Sequence, residues 1–162
     1  DLELGSDKPE LIYSGSFNPP HEGHFEIAKI AEKITKRSLQ FEISITNYSK
    51  GNVNPMDLYM RQHDLLGEMI CGVIFTNAPT YIEKIKLLPN SIFVVGMDTL
   101  MRMHDSNLDT LINLVKYTNV SFLAFERKEC PFSMKDNQIP KVNYVGKYRD
   151  KGYSSTQIRS RV

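Results

Sequence analysis

The chain has 162 residues, 41% of them hydrophobic and 24% charged, with no tryptophan; that suffices for one domain with a sizeable core. Twenty lysines and arginines against 19 acids leave a net charge of +1, which lacks the basic surplus of a dedicated duplex-binding protein. Cys71 and Cys130 are its two cysteines, which offers no disulfide framework and no cysteine zinc site, and no apolar run nears the roughly 20 residues of a membrane span.

These features, with no visible signal peptide, lead us to expect a cytoplasmic protein that binds neither nucleic acid nor membrane. Residues 1–8 are polar and read as a tail or linker, and 9–162 as one domain, with room for excision from a longer chain. Cys71 stands in an apolar run and reads as a buried small hydrophobe.

In chain order, 10–14 is a short strand that ends at Gly15. A helix is predicted over 25–36, where Phe25, Ile27, Ala28, Ile30, Ala31 and Ile34 form an apolar stripe. Residues 41–46 alternate as a strand does, and Asp57 opens a helix to about Ile70. Strand 73–76 follows, then a helix over 79–88 with Pro79 near its first turn. The β-rich run 91–95 has the character of a buried parallel strand. Helices over 98–104 and 108–116, strands over 120–125 and 142–145, and a final helix capped by Ser154 or Ser155 complete the chain. Alternating strands and helices predict an α/β fold: a Rossmann-like, doubly wound parallel sheet in three α/β/α layers. Ligands of such sheets sit outside the carboxyl ends of the strands. Segments 15–24, 47–50 and 96–98 all follow strands and converge there.

Gly15-Ser16-Phe17-Asn18-Pro19-Pro20-His21-Glu22-Gly23-His24 joins the first strand to the first helix. Gly15 allows close approach to the backbone. Pro19 and Pro20 stiffen the entry and block an early helix start. A helix N-terminus presents unpaired N–H groups and partial positive charge, which suits phosphate. His21 and His24, three apart, share a face of the first turn. They can donate to phosphoryl oxygens and stabilise charge that builds there. A plain surface pair, or part of a zinc site with His63 and His104, is the competing reading, although nothing in the spacing suggests convergence.

The stretch resembles the G-x-F-x-P-x-H-x-G-H signature of the nucleotidyltransferase superfamily, filled by Gly15, Phe17, Pro19, His21, Gly23 and His24. That superfamily includes nicotinate and nicotinamide mononucleotide adenylyltransferases, phosphopantetheine adenylyltransferase and cytidylyltransferases. Tyr153-Ser154-Ser155-Thr156-Gln157-Ile158-Arg159 reads alone as an N-cap cluster. It also resembles the superfamily's second signature, I-S-S-T-x-I-R, with Tyr153 in place of isoleucine. Gly96-Met97-Asp98-Thr99-Leu100 resembles the G-x-D-S-L element, with Thr99 for serine; Asp98 read alone is a helix N-cap.

The resemblance runs from about Leu11 to Arg159 and is nearest to the mononucleotide adenylyltransferases. It implies His21, His24 and Arg159 as catalytic residues. It implies an ATP site of Gly15, Ser16, Phe17, His21, His24, Gly96, Asp98, Ser154, Ser155, Thr156 and Arg159. The acceptor would meet Ser16, Phe17, Lys50, Asp98 and Arg127, of which Lys50 and Arg127 read otherwise as solvated charges. Arg127 stands where related chains carry an R-P-G turn, here without its Pro-Gly. Arg61 falls where they have an R-x-x-M-like helix.

The expected reaction moves AMP from ATP to nicotinamide or nicotinate mononucleotide with release of pyrophosphate. Mg²⁺ would be held through the substrate phosphates, with no metal site of protein ligands. A homo-oligomer and a fused further domain are compatible with these features. Many of these enzymes stack the pyridine ring on a tryptophan, which is absent here; Met101, Met103, His104 or Tyr117 would have to substitute. Phosphopantetheine or cytidylyl transfer and a non-catalytic nucleotide-binding module are the alternatives. A class I aminoacyl-tRNA synthetase, which has a related histidine motif, is disfavoured by the short chain and the lack of basic surplus.

Overall fold

The computed structural model describes residues 8–17, 19–45, 55–68, 72–126 and 130–147. Strands β1 (Glu10–Ser14), β2 (Leu39–Ser44), β3 (Gly72–Thr76), β4 (Ser91–Gly96), β5 (Ser121–Glu126) and β6 (Val142–Lys147) form one sheet. Helices α1 (Glu22–Thr35), α2 (Pro55–Glu68), α3 (Tyr81–Leu87), α4 (Met97–His104) and α5 (Leu108–Tyr117) connect them. The order is β3-β2-β1-β4-β5-β6, and every neighbouring pair is parallel. This is the doubly wound order, in which the sequence of strands reverses between β1 and β4 while all strands stay parallel.

Period-two alternation along the central strands builds two cores, one on each face. Leu11 and Tyr13 of β1, Val94 of β4, and Leu123 and Phe125 of β5 point to one face, against Phe25, Ile27, Ala28 and Ala31 of α1 and Leu65 of α2. Ile12, Phe93, Val95, Phe122 and Ala124 point to the other, against Ile85 of α3, Met97, Leu100 and Met103 of α4, and Leu111 and Val115 of α5. Burial of one such aliphatic or aromatic side chain stabilises by about 1.5–3 kcal/mol. Because helices cover both faces, the inner stretches of β1, β2, β4 and β5 are buried on both sides of the sheet. The expected three-layer α/β/α architecture is therefore the observed one.

Several boundaries differ from those expected. Helix α1 begins at Glu22, three residues earlier than its apolar stripe indicates, because His21 caps it immediately after the prolines. Lys36, expected as its last residue, is left-handed at φ 57° and terminates it. Ile34 is half exposed, so the stripe ends before it. Helix α3 starts at Tyr81 with Thr80 as its N-cap, accepting from the Glu83 N–H at 3.3 Å, so Pro79 lies before the helix. Strand β6 runs on to Lys147 through a register irregularity opposite Ala124 and Phe125, where Gly146 adopts φ 121°. Among the described residues no helix is long and apolar enough to cross a membrane. Cys71 and the expected C-terminal helix lie outside the described residues.

Candidate active site

The loop after β1 is organised around a buried aromatic ring. Phe17 sits at φ 48°, a left-handed backbone that a bulky residue seldom adopts. The conformation turns its ring into the core, where it meets Tyr13 at 5.3 Å, Phe41 at 5.0 Å and His24 at 5.0 Å, all edge-to-face. Packing of this ring offsets the backbone strain. It also explains Gly15, since a Cβ there would stand 3.0 Å from the Phe17 ring. The glycine is thus required by the phenylalanine, besides any need for close approach of a ligand. The Gly15 N–H donates to the Glu42 carbonyl at 3.1 Å, and the Arg61 guanidinium of α2 donates to the Ser16 carbonyl at 3.3 Å. These two bonds tie the loop to β2 and α2.

His21 and His24 form a reciprocal cap at the start of α1. The Gly23 N–H donates to His21 Nδ1 at 3.1 Å, and the His21 N–H donates to His24 Nδ1 at 3.0 Å. This is a capping box in which two imidazoles replace the usual hydroxyl and carboxylate. With Nδ1 accepting in each ring, the neutral tautomer carries its proton on Nε2. The rings lie nearly parallel with centroids 3.7 Å apart. One helix start therefore bears two imidazoles in the Nε2–H donor form, at the positive end of the helix dipole.

A cleft of about 670 Å³ opens at the carboxyl ends of the strands, beside the β1–β4 switch point. Ser14, Gly15 and Ser16 line one side, and Ser44 ends β2 beside them. Pro79, Thr80, Tyr81 and Lys84 enclose it from the entry and first turn of α3, and Thr99, Arg102, Met103 and Ser106 from α4 and its exit. The Ser14 and Ser44 hydroxyl oxygens are buried and have no hydrogen-bond partner among the described residues. Burial first, then the Glu42 carboxylate, push the Tyr81 hydroxyl far above its ordinary range; a weaker effect of nearby Ser14 opposes this. Tyr81 is therefore a neutral hydroxyl. Its ring packs edge-on against Phe93 at 5.6 Å.

Glu42 and Lys84 were not foreseen as partners. Glu42 is wholly buried in β2, and Lys84 of α3 donates to its two carboxylate oxygens at 2.9 and 3.1 Å. Lys84 also donates to the Ala78 carbonyl at 2.6 Å, and the Thr76 hydroxyl donates to Glu42 at 2.5 Å. The Ala78 N–H closes the network on the Thr76 hydroxyl at 3.2 Å. The signal in the sequence was the polar alternation Phe41-Glu42-Ile43-Ser44. In a sheet covered on both faces, a mid-strand carboxylate has to be paired.

Of the expected site residues, Gly15 and Ser16 line the cleft, and His21 and His24 stand a few residues on, at the start of α1. Phe17 turns its ring inward, which leaves only its backbone for a ligand. Gly96, not Asp98, is the N-cap of α4. The Asp98 side chain, 64% exposed, pairs with Arg102 at 3.5 Å, and Arg102 also donates to Thr99 Oγ1 at 3.1 Å. Lys50, Arg127, Ser154, Ser155, Thr156 and Arg159 lie outside the described residues.

Tyr117 is 84% exposed and does not line the cleft, so it offers no stacking surface there; it ends α5, whose next turn is tied to the starting ends of β4 and β5. Met103 of the suggested substitutes does reach the cleft. His104 spends both ring nitrogens structurally: Nδ1 on the Leu100 carbonyl at 2.9 Å, and Nε2 as acceptor from the Gln138 N–H at 2.9 Å. The zinc reading fails on this point, and among the described residues no group of His, Cys, Asp or Glu is disposed to hold a metal ion.

No curated protein matches the chain. A cytidylyltransferase-like family model matches residues 12–161, a span that includes the paired histidines, the cleft and both signature segments. The chain belongs to the cytidylyltransferase-like family of nucleotidyltransferases.

Proposed function

We propose that this protein transfers AMP from ATP to the phosphate of nicotinamide or nicotinate mononucleotide, forming a dinucleotide and pyrophosphate. The observation that carries this reading is the His21–His24 cap: two imidazoles in the Nε2–H form at one helix start, reached from the loop whose Gly15 and Ser16 line the cleft.

The chemistry asks little of the protein. A mononucleotide phosphate is already ionised at neutral pH, so its oxygen attacks the α-phosphorus of ATP without a general base. A P–O bond forms to the acceptor as the bond to the pyrophosphate oxygen breaks, and pyrophosphate leaves with the electron pair. The remaining tasks are alignment and stabilisation of charge on the transferring and leaving phosphates. In this reading His21 and His24 donate Nε2–H to those oxygens. Ser16 and the cleft hold the acceptor, and Gly96 and Asp98 contact the nucleotide, as the resemblance of 96–100 to the G-x-D-S-L element implies. Ser154, Ser155, Thr156 and Arg159 close on the triphosphate, as the second signature implies, and Lys50 and Arg127 bind the acceptor. The described donors are imidazoles, hydroxyls and N–H groups, which suit phosphate oxygens better than a bare cation. Mg²⁺ fits them as an ion held by the triphosphate, where it supplies charge neutralisation. A cytoplasmic setting suits this chemistry.

The test is pyrophosphate release from ATP and from CTP, each with both mononucleotides and with phosphopantetheine. Release confined to ATP with a mononucleotide supports the proposal. Release with CTP or phosphopantetheine alone replaces it, and ATP binding without release from any acceptor indicates a binding module.

A further inference from the structure

The cleft contains two cations among its described lining residues, and each is matched by a carboxylate. Arg102 at the rim pairs with Asp98. Lys84 in the floor, its side chain 8% exposed, pairs with the fully buried Glu42. An ammonium has three N–H donors, and Lys84 makes contacts to Glu42 Oε1, Glu42 Oε2 and the Ala78 carbonyl. Its hydrogen bonds are therefore spent inside the protein. Beside them the described lining is neutral: Ser14 and Ser44, whose hydroxyl oxygens are buried, Thr80, whose hydroxyl caps α3, Tyr81, and Met103 as an apolar wall.

We infer that Glu42, by cancelling the charge of Lys84 beneath the cleft, makes this protein select an acceptor whose head group is an uncharged hydrogen-bonding group, such as a carboxamide, over one bearing a carboxylate. The inference rests on the proposed transfer to a mononucleotide and specifies which kind. A carboxylate entering here would lose water and find no unpaired cation among the described lining residues, whereas a carboxamide carries no charge to desolvate. The same network shapes the wall. Glu42 holds Thr76, Thr76 receives the Ala78 N–H, and Lys84 holds the Ala78 carbonyl. The segment leading to Thr80 and Tyr81 is thereby fixed to β2 and β3. Glu42 acts through Lys84 and this segment and is a positioning residue.

The experiment uses the 162-residue chain with nicotinamide and nicotinate mononucleotides, whose heads differ by amide against acid. Turnover with ATP is measured beside calorimetric binding of each mononucleotide alone. The expected result is a preference for the amide on the order of tenfold or more in kcat/KM and in affinity. Glu42→Gln removes the counter-charge of Lys84 and should move the acid-to-amide ratio toward the acid, with KM for ATP unchanged. Equal or better use of the acid by the unmodified chain overturns the inference while AMP transfer stands. A folded Glu42→Gln protein with an unmoved ratio also overturns it. Should that variant fail to fold, the amide preference of the unmodified chain decides alone. Selective amide binding without turnover keeps the charge argument and removes the transfer reading, and neither binding nor turnover removes both.

Discussion

His21 and His24 hold each other in place: each imidazole Nδ1 accepts a backbone N–H of the turn that carries them, at 3.1 and 3.0 Å, and the rings stack at 3.7 Å. The arrangement assigns the proton of each neutral ring to Nε2 and so separates a structural side from a chemical side on both residues. His24→Ala is expected to lower kcat by about 10²–10³, the usual cost of one donor to developing charge, with little change in ATP affinity. Single-turnover rates and ATP binding measured together check this. His21→Asn should lower turnover similarly while it retains the cap, and His21→Ala should lose in addition about 1 kcal/mol of stability.

Gly15→Ala places a Cβ 3.0 Å from the Phe17 ring. The ring has little room, since Tyr13, Phe41 and His24 surround it. We expect a loss of about 1–3 kcal/mol, as for overpacked cores, read by urea denaturation. Turnover should fall as well, because displacement of Phe17 disturbs the ring on which His24 rests.

Lys84→Met should destabilise by about 3–5 kcal/mol, because it leaves the buried Glu42 carboxylate without its partner. Lys84→Met combined with Glu42→Gln removes both charges and should recover most of that loss. A double-mutant cycle on unfolding free energies measures the coupling.

His104→Ala is expected to cost about 1–3 kcal/mol, since the Gln138 N–H and the Leu100 carbonyl both lose their partner. Its kcat and KM should remain those of the unmodified chain. Added zinc should neither restore nor inhibit activity through this residue.

The α/β order was legible because each element carries its own period, and the run Ile92-Phe93-Val94-Val95 already reads as an interior parallel strand. The signature loop was legible as residue types at fixed spacing. Its internal geometry was not: a capping box made of two histidines has no propensity to announce it, and the left-handed Phe17 depends on a cavity between β1, β2 and α1. Asp98 illustrates how a good N-cap residue yields to context, since the backbone turns one step earlier, at Gly96. Glu42 and Lys84 are 42 residues apart, and only the return of the chain from β3 into α3 brings them together. Local pattern cannot register such a pair, although a carboxylate midway along a strand of a doubly covered sheet signals that a partner exists.

The central claim is AMP transfer to a mononucleotide at the His21–His24 helix start. It is tested most directly by incubating the chain with ATP, Mg²⁺ and nicotinamide mononucleotide, then following pyrophosphate and the mass of the nucleotide product. The account predicts one pyrophosphate released per dinucleotide formed, with both lost together in His24→Ala. Absence of dinucleotide under conditions where ATP binds, or dinucleotide formed at an undiminished rate by His24→Ala, would contradict it.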